Sequence, residues 1–445
     1  MLLFARRSRS AFLIFIAVAC MVLPVQPVYA ADNELRLDDL IEEGLRNSPE
    51  ILAAQAKAQA AGYRIPQAKA LPDPMFMFGY QNEGFKRFTL GEEQDAMGMF
   101  SLSQMFLFPG KRALKGDMAA RDAESLAALY NATKHRVAAQ IKILFYDLYL
   151  AHKTIDILKD RTQVFSQIED AASARYASGM GSQQEVVMAQ TEKYMLLEKE
   201  EMQRQKIQAL QGMLNTAVGR DVNAPLGRPS QLAYTPLHAT LEQILGAAED
   251  YSPDVRSKKK MVEGAEAKVK MAKKEYYPDV TLTAGYLPRT GSFMDMANLT
   301  ATINLPLYYR SKQRQAVLEA EAGLSEAKRE LMATKLMLSS NVRDSFSMIL
   351  AADRLTQLYR EGLIPKAHQD VQLALSGYVT GKTEALTVIT RIKNLLDFDL
   401  LYWNQFVERE KAIARLHAFT AGELATGAGQ AFEREKNGSS QGEAQ

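Results

Sequence analysis

Cysteine is almost absent from this chain. Its 445 residues contain one cysteine, Cys20, close to the amino terminus. A single cysteine excludes intramolecular disulfides and the thiolate sets that bind structural zinc. No glycine-rich loop precedes a lysine in the form that binds phosphate. The histidines are scattered, without metal-ligand spacing: His135, His152, His238, His368 and His417. The sequence therefore predicts neither an enzyme nor a resident cofactor.

Net charge and long apolar runs are also scarce. The chain has 54 Lys+Arg against 52 Asp+Glu, a formal net charge of +2, which argues against nucleic acid as the main partner. Beyond the leader, no stretch offers the roughly 18 consecutive apolar residues that a transmembrane helix needs. Any later segment that crosses a membrane must therefore do so as β-strands.

The first 30 residues have the pattern of a cleavable signal peptide. Arg6, Arg7 and Arg9 precede an apolar run over residues 11–23, and small residues lead up to Ala30. This order of basic region, apolar region and small-residue site is typical of secretion signals. We predict cleavage after Ala30 and export of the mature chain.

Two other interpretations of the leader stay open. Cys20 follows Val18 and Ala19 and is a candidate lipidation site, although Ala17 stands where a larger aliphatic residue is usual. Arg6 and Arg7 would begin a twin-arginine signal, but the rest of that motif is absent.

Glycine and proline are missing from residues 117–178, in a chain with 26 Gly and 15 Pro. An unbroken helix of that length would reach roughly 90 Å. Apolar residues recur there every seven, as in a coiled coil, with charged flanks that exclude lipid. Thr162 and Glu169 are the polar exceptions on the seam. The seam positions are Val137, Leu144, Ala151, Leu158, Phe165 and Ala172, with Ile141, Leu148, Ile155 and Tyr176 on the companion position.

Short motifs recur about 200 residues apart, which predicts a duplication. The recurring pairs are Ser48-Pro49 with Ser252-Pro253, Leu71-Pro72-Asp73 with Tyr277-Pro278-Asp279, and Tyr176-x-x-Gly179 with Tyr378-x-x-Gly381. We expect copies at 31–220 and 241–420, an inter-repeat linker at 221–240 in an equatorial region, and a disordered tail at 421–445.

Each copy is expected to contain a helix, two strands, a long helix and a returning helix. The expected helices span about 37–70, 111–177 and 184–218, then 241–276, 311–376 and 384–419. Pro365 should kink or loosen the second long helix, since proline lacks a backbone N–H. Each long helix has the length of two shorter helices stacked end to end, so that it can pair with both.

The strand segments alternate with period two. In the second copy Val280, Leu282 and Ala284 point to one side, whereas Thr281 and Thr283 point to the other. Runs of about 9–11 such residues suit a tilted strand that crosses a bilayer, although a half-buried strand in a soluble sheet has the same pattern. Four strands cannot close a barrel in lipid, whereas three chains would supply twelve. A homotrimer follows from this geometry.

Specific residues support a resemblance to a known family. Leu71-Pro72-Asp73-Pro74 precedes the first strand, and Ser103-Gln104 lies near the end of the second. The sequence from Phe108 through Pro109, Gly110, Lys111 and Arg112 follows as a strand-to-helix junction, and two Tyr-x-x-Gly turns complete the set. Together they resemble the TolC family of outer-membrane efflux proteins. The junction and residues 363–381 look most like its heavy-metal efflux branch, the CzcC- and CusC-like proteins.

The resemblance implies a mainly α fold with β, in which coiled-coil helices form a periplasmic α-barrel below a shared twelve-stranded outer-membrane β-barrel. It implies a homotrimeric, passive exit duct in the outer membrane and periplasm, in contact with outer-membrane lipid. The duct would serve a tripartite efflux system with a periplasmic adaptor and an inner-membrane resistance-nodulation-division pump. It implies no cofactor and no nucleic acid, and heavy-metal cations are possible substrates.

The two Tyr-x-x-Gly turns are the candidate gate and adaptor-contact site. Gly179 and Gly381 should adopt left-handed dihedrals that end the long helices, and Tyr176 and Tyr378 lie beside them. The turns are at the far end of the helices from the strands, where the duct must close. We expect opening by outward splaying of the tips.

The charge at this entrance differs from the family pattern. Relatives carry aspartates just after the second turn, whereas here the matching positions are Thr387 and Thr390. Glu185 in the first copy would supply three carboxylates per trimer instead. The alternative is that Glu185 is an ordinary acid at a helix N-terminus.

The sequence leaves two other functional classes open. The duct of a type I protein secretion system has the same plan, whereas a periplasmic coiled-coil adaptor or scaffold usually has one helical hairpin rather than two repeats with strands. Soft-metal contact is a further possibility for methionine thioethers, although methionine also serves as a flexible filler. The strand methionines are Met75, Met77, Met97, Met99 and Met105.

Overall fold

The computed structural model describes residues 34–421. The predicted signal peptide at 1–30, including Cys20, lies outside the described residues, as does the predicted tail beyond residue 421. The helices are α1 Leu37–Asn47, α2 Pro49–Lys69, α3 Lys111–Ala177, α4 Gln183–Val218, α5 Leu241–Tyr251, α6 Pro253–Lys274, α7 Gln313–Gln357, α8 Ile364–Val379 and α9 Ala385–Phe419, with a π-helical turn Leu358–Leu363 between α7 and α8. The strands are β1 Met75–Gln81, β2 Met97–Phe106, β3 Val280–Leu287 and β4 Met296–Ile303.

The long helix α3 has the bounds predicted for it, and its heptad seam is buried from Val137 to Ala172. Both polar exceptions on the seam find partners. The Thr162 hydroxyl donates to its own helix backbone at Leu158 O, 2.9 Å away. The Glu169 carboxylate accepts from Lys193 Nζ at 3.1 Å. Tyr176 was wrongly placed on the seam, since it is 50% exposed.

Each opening helix was predicted as one piece and is two. Ser48 and Ser252 have extended ψ angles of 121° and 122°, and Pro49 and Pro253 begin the next helix. The residue before a proline is disfavoured in the helical region, and proline suits the first helical position because its missing N–H has no partner there anyway. The single-helix prediction is therefore wrong at both serines.

The second rod runs through α7, the π-helical turn and α8, and continues to Val379 rather than to residue 376. The π-helical turn directly precedes α8, whose second residue is Pro365. Proline crowds the carbonyl four residues earlier and offers no N–H to it. The wider π-helical turn accommodates the missing hydrogen bond without ending the helix. The loosening predicted near Pro365 therefore takes the form of this turn.

The four strands form one antiparallel sheet in the order β1-β2-β3-β4. The register aligns Leu102 with Phe76 on one side and with Ala284 on the other, and Ala284 with Leu299. One face of the sheet is therefore apolar across all four strands, as the alternation predicted. The opposite face carries the serine and threonine rows, the five methionines named from the sequence and Met296 of β4.

The strands are shorter than the predicted 9–11 residues in three cases, with lengths of 7, 10, 8 and 8 residues. In β1 the cause is visible directly after Gln81. The Asn82 side chain donates to the carbonyls of Gly84 and Arg87, both at 2.7 Å. These bonds turn the chain into a hairpin loop before the strand can extend further.

Each strand is joined to one helix, so that the sheet order continues into the helix order. Helix α2 precedes β1, α3 follows β2, α6 precedes β3 and α7 follows β4. Helix α3 contacts α2 and α6 in its half nearest the sheet, and α4 and α9 in its other half. One long helix thus pairs with two shorter ones along its length, as predicted.

Helix α9 carries His417, whose half-buried imidazole should make the stability of the fold depend on pH. Burial, together with the nearby Lys142 ammonium, lowers the pKa of His417 to about 4. A histidine held neutral in the folded state stabilises the fold fully above the ordinary histidine pKa near 6.5, and this contribution disappears as the pH falls towards 4.

We therefore expect acidification from neutral pH to about pH 4.5 to remove up to ~3 kcal/mol through His417 alone. The His417→Gln variant should lose that share of the acid sensitivity. The measurement is the free energy of unfolding against pH in detergent. His368→Gln, at an exposed histidine on α8, is the control; equal acid sensitivity of both variants would contradict the assignment.

Candidate functional site: strand-to-helix junction and helix turns

The junction after β2 turns on a glycine and a buried lysine. Gly110 has a φ of +89° and is the residue immediately before α3, a conformation that costs other residues a Cβ clash. Lys111 follows as the first residue of α3 and is 1% exposed. Its Nζ lies 3.0 Å from Asp279 Oδ1 and 3.3 Å from Glu275 Oε2. It also donates to the Tyr277 carbonyl at 2.9 Å.

The buried ammonium is compensated from the second half of the chain. Asp279, just before β3, also accepts the Phe108 N–H at 2.7 Å. The Phe108 ring stacks on Tyr277 with centroids 4.5 Å apart. Lys274 Nζ donates to the Pro109 carbonyl at 3.1 Å. This set fastens the β2–α3 junction to the α6–β3 junction.

Three of the four predicted junction residues enter this set. Pro109, Gly110 and Lys111 contact the second half, whereas Arg112 is exposed and makes no ion pair with a described carboxylate. Sequence reasoning missed Asp279 as the partner of Lys111. The signal was present, because Asp279 belongs to the recurring Pro-Asp motif that precedes each first strand.

The two helix turns at the opposite end share one backbone pattern. Gly179 and Gly381 have φ angles of +72° and +73°. In the first turn Met180 N donates to Arg175 O at 2.9 Å, and in the second Lys382 N donates to Gly377 O at 2.8 Å. These six-residue bonds are those of a Schellman C-cap. The turns are thus equivalent in backbone, and they differ in side chains.

A three-residue connection joins the turns. The Arg175 guanidinium donates from Nη1 to the Tyr378 carbonyl at 2.7 Å and from Nη2 to the Met180 carbonyl at 3.2 Å. It also lies 4.7 Å from the centroid of the Tyr378 ring, within cation–π range. The Tyr378 hydroxyl donates to Glu185 Oε2 at 3.0 Å. We call Arg175, Tyr378 and Glu185 the tip clasp.

Tyr378 is the buried centre of the tip clasp, at 2% exposure. Burial, together with the hydrogen bond to the Glu185 carboxylate, raises the pKa of Tyr378 to about 12 against the opposing effect of the Arg175 charge. The hydroxyl therefore remains a hydrogen-bond donor through neutral and moderately alkaline pH. The bond from Tyr378 to Glu185 therefore keeps its donor over that pH range.

The other predicted turn residues do not join the clasp. Tyr176, the repeat-equivalent of Tyr378, is half exposed. Thr387 and Thr390 are exposed in the first turns of α9, and the Thr390 hydroxyl donates to Leu386 O of its own helix at 2.8 Å. Glu185, which does belong to the clasp, lies in the first turn of α4, as expected for an acid at a helix N-terminus, and it also accepts the hydrogen bond from Tyr378.

Sequence reasoning missed Arg175. A cation next to the last turn of a helix looks like an ordinary favourable partner of the helix dipole. The informative signal was the asymmetry between the copies, since the position equivalent to Arg175 is Gly377 in the second turn. Only one turn therefore carries a side chain long enough to reach across.

Two further ion pairs tie the first helical hairpin to the second above the turns. Arg161 of α3 lies 2.5 Å from Asp399 of α9. Lys393 of α9 lies 2.7 Å from Glu192 of α4. Together with the tip clasp, these contacts hold α3 and α4 against α9 over the last third of the helices.

An open groove of about 430 Å³ lies between α4 and α9 beside the turns. Val187 and Leu386 line it and are 51% and 55% exposed. Thr191 and Glu192 form its polar border. The groove offers an apolar strip beside the clasp, where another helix could pack.

Residues 34–421 contain no group of three His, Cys, Asp or Glu side chains that could hold a metal ion.

None of the helices in the described range combines the length and the apolar character that membrane crossing requires.

The chain consists of repeated helical hairpins joined to a four-stranded sheet, with the strand-to-helix junctions at one end of the helices and the turns at the other. A model of the family described as "Outer membrane efflux protein" matches residues 40–220 and 244–390. The chain belongs to the outer membrane efflux protein family, and it is an efflux channel protein of the outer membrane. The fold class and the family resemblance predicted from the sequence are thereby confirmed.

Individual relatives agree with this assignment. The cobalt-zinc-cadmium resistance protein CzcC of Cupriavidus metallidurans is 23% identical over 390 residues, which cover 86% of this chain and 88% of CzcC. The nickel-cobalt-cadmium resistance protein NccC of Alcaligenes xylosoxydans xylosoxydans is 23% identical over 351 residues, 76% of each chain. The crystal structure of the outer membrane protein VceC from Vibrio cholerae has a TM-score of 0.74 at 19% identity, covering 87% of this chain and 96% of VceC.

Proposed function

We propose that this chain is the passive exit duct of a tripartite efflux system and carries out no reaction of its own. The observation that carries the proposal is the sheet. One face is apolar over four strands, the opposite face carries serine, threonine and methionine rows, and the edge strands β1 and β4 each have only one strand partner among the described residues. In lipid such edges must be paired. Three chains would pair them in a ring of twelve strands.

The duplicated plan fits the same assembly. Copies at 31–220 and 241–420, joined by a linker at 221–240, would each contribute one hairpin to the barrel and one pair of rods to the tunnel below it. Cleavage near Ala30 would release the mature chain to the periplasm and outer membrane.

The helix turns are the proposed gate and the proposed contact with a periplasmic adaptor. The tip clasp and the ion pairs above it hold the two hairpins of one chain together, so opening requires their rupture or rearrangement. The apolar strip beside Val187 and Leu386 suits a helix of the adaptor. An inner-membrane pump would supply the energy.

Heavy-metal cations are the proposed cargo. The support is the names of CzcC and NccC, which are resistance proteins for cobalt, zinc, cadmium and nickel. A passive duct needs no tight metal site, because a cation that binds tightly also leaves slowly.

The test of the duct is the conductance of the full-length protein, extracted in detergent and added to a planar bilayer, with its mass measured in the same detergent. We expect a trimer and discrete conductance steps. A water-soluble monomer without conductance would overturn the proposal.

A separate experiment tests the cargo. Deletion of the coding sequence should cause loss of cobalt, zinc or cadmium resistance, and the wild-type chain should restore it.

A further inference from the structure

A group of exposed cations lies at the boundary between the strands and the helices. We call it the basic collar, and its members are Lys69, Arg112, Lys115, Arg310, Lys312 and Arg314. Lys69 ends α2 before β1, Arg112 and Lys115 lie in the first turns of α3 after β2, and the other three follow β4. The collar therefore borders three of the four strand ends on the helical side.

The cations of the basic collar have no carboxylate partner in the described part of the chain. Within residues 34–421 none of the six lies within ion-pair distance of a carboxylate. The nearby acids are engaged elsewhere: Glu275 and Asp279 with the buried Lys111, and Asp117 with Arg121 at 3.3 Å. Asp73 is the exposed exception. The boundary thus presents positive charge that the chain does not neutralise.

Apolar and aromatic side chains lead directly into the collar. Beyond β4 the apolar register continues through Leu305 and Leu307, which are 68% and 75% exposed. Tyr308 and Tyr309 come next, and the Arg310 guanidinium lies 5.9 Å from the centroid of the Tyr309 ring. Proteins that cross a membrane often have this order at the membrane-water interface: aliphatic residues in the hydrocarbon region, then tyrosines, then cations at the level of the headgroups.

The other end of the sheet has the opposite balance. The hairpin loop at residues 82–96 contains two lysines or arginines and four acids, and the loop at 288–295 contains one of each. Arg87 in the first loop is paired with Glu92 at 3.1 Å and Glu93 at 3.6 Å. The positive charge is therefore specific to the helical end of the strands.

From these observations we infer that the basic collar binds anionic phospholipid headgroups of the periplasmic leaflet of the outer membrane. The inference rests on the proposed membrane insertion of the strands, and it adds a lipid partner to the proposed duct. Each cation close to an anionic bilayer surface contributes attraction that falls with ionic strength. A trimer would carry eighteen such cations around its circumference, three copies of the six.

The test is native mass spectrometry of the full-length protein in detergent, titrated with phosphatidylglycerol or with phosphatidylcholine. The wild type should retain phosphatidylglycerol at a concentration at least about tenfold lower than phosphatidylcholine, and added sodium chloride should reduce the difference. Equal retention of the two lipids by the wild type would overturn the inference whatever the variants do.

A charge-neutralised variant and a matched control locate the effect. Arg112→Gln, Lys115→Gln, Arg310→Gln and Lys312→Gln combined should abolish most of the preference. The control replaces four exposed lysines outside the collar with no carboxylate partner in the described chain: Lys57, Lys199, Lys206 and Lys328, each to Gln. An equal loss in both variants would overturn the inference. If the fourfold variant fails to assemble, Arg112→Gln with Arg310→Gln provides the milder comparison, with half the charge change.

Conductance distinguishes this inference from the proposed function and from cargo binding. The collar variant should conduct as the wild type does and keep its cation-to-anion selectivity, because its changes face lipid. Altered selectivity with unchanged lipid retention would place these cations in the lumen and overturn the inference. Absence of conductance in the wild-type protein would instead contradict the proposed function as an exit duct.

Discussion

Replacing Lys111 with methionine should lower the free energy of unfolding by about 2–3 kcal/mol and reduce the amount of assembled protein in the outer membrane. Methionine fills a similar volume but leaves Asp279 and Glu275 without their cation. Loss of one partner of a fully buried pair costs about 3–5 kcal/mol. The Lys111 side chain is 2% exposed, whereas those of Asp279 and Glu275 are 22% and 45% exposed, so water partly compensates the carboxylates.

The measurement is thermal or denaturant unfolding in detergent, followed by circular dichroism. Arg112→Met is the matched control, since the neighbouring cation is exposed and makes no described ion pair; its effect should stay within about 0.5 kcal/mol. Equal stability of the Lys111→Met variant and the wild type would refute the role of Lys111 as the fastener between the two junctions.

Combining Arg175→Ala with Tyr378→Phe should increase the open fraction of the channel by about tenfold to a hundredfold. The pair of changes removes the charge-assisted bond from Arg175 to the Tyr378 carbonyl and the bond from Tyr378 to Glu185. Each bond involves a charged group, and such bonds contribute about 1.5–3 kcal/mol when well buried. Arg175 and Glu185 are only partly buried, so water replaces part of each bond, and we expect a combined effect of about 1.4–2.8 kcal/mol, with a factor of ten in the equilibrium constant for every 1.4 kcal/mol.

Single-channel conductance in a planar bilayer measures this open fraction. Tyr176→Phe is the control, because Tyr176 occupies the equivalent position of the other turn and is half exposed outside the clasp. A double variant that opens no more often than the Tyr176→Phe control would show that the clasp does not limit opening.

The large elements of the fold were predictable because their patterns are long. The heptads of α3 and the alternation of the strands each involve many residues that report the same environment. The serine breaks before Pro49 and Pro253 were missed, although the residue-before-proline rule that correctly ended α2 near Pro72 applies equally there. The two breaks were therefore predictable from the sequence by the same rule.

The candidate site was less predictable because it depends on single contacts between distant parts of the chain. Lys111 was recognised as a motif residue, yet burial next to Asp279 requires the α3 and α6 junctions to be adjacent. Arg175 looks like any surface cation, and its reach to Tyr378 depends on the packing of the two turns. Neither contact has a periodicity that a sequence pattern can reveal.

The π-helical turn in the second rod has a consequence for which tyrosine becomes the centre of the clasp. In α7 the buried positions include Val342, Ser345 and Ile349. Continued by whole heptads, that series would reach residues 370, 373 and 377, whereas the buried positions of α8 are Val371, Ala374 and Tyr378. The seam is thus displaced by one residue across Leu358–Leu363, as expected when a widened turn accommodates one extra residue. Without that phase shift Gly377, rather than Tyr378, would take the inward position, and the clasp would lack its central side chain.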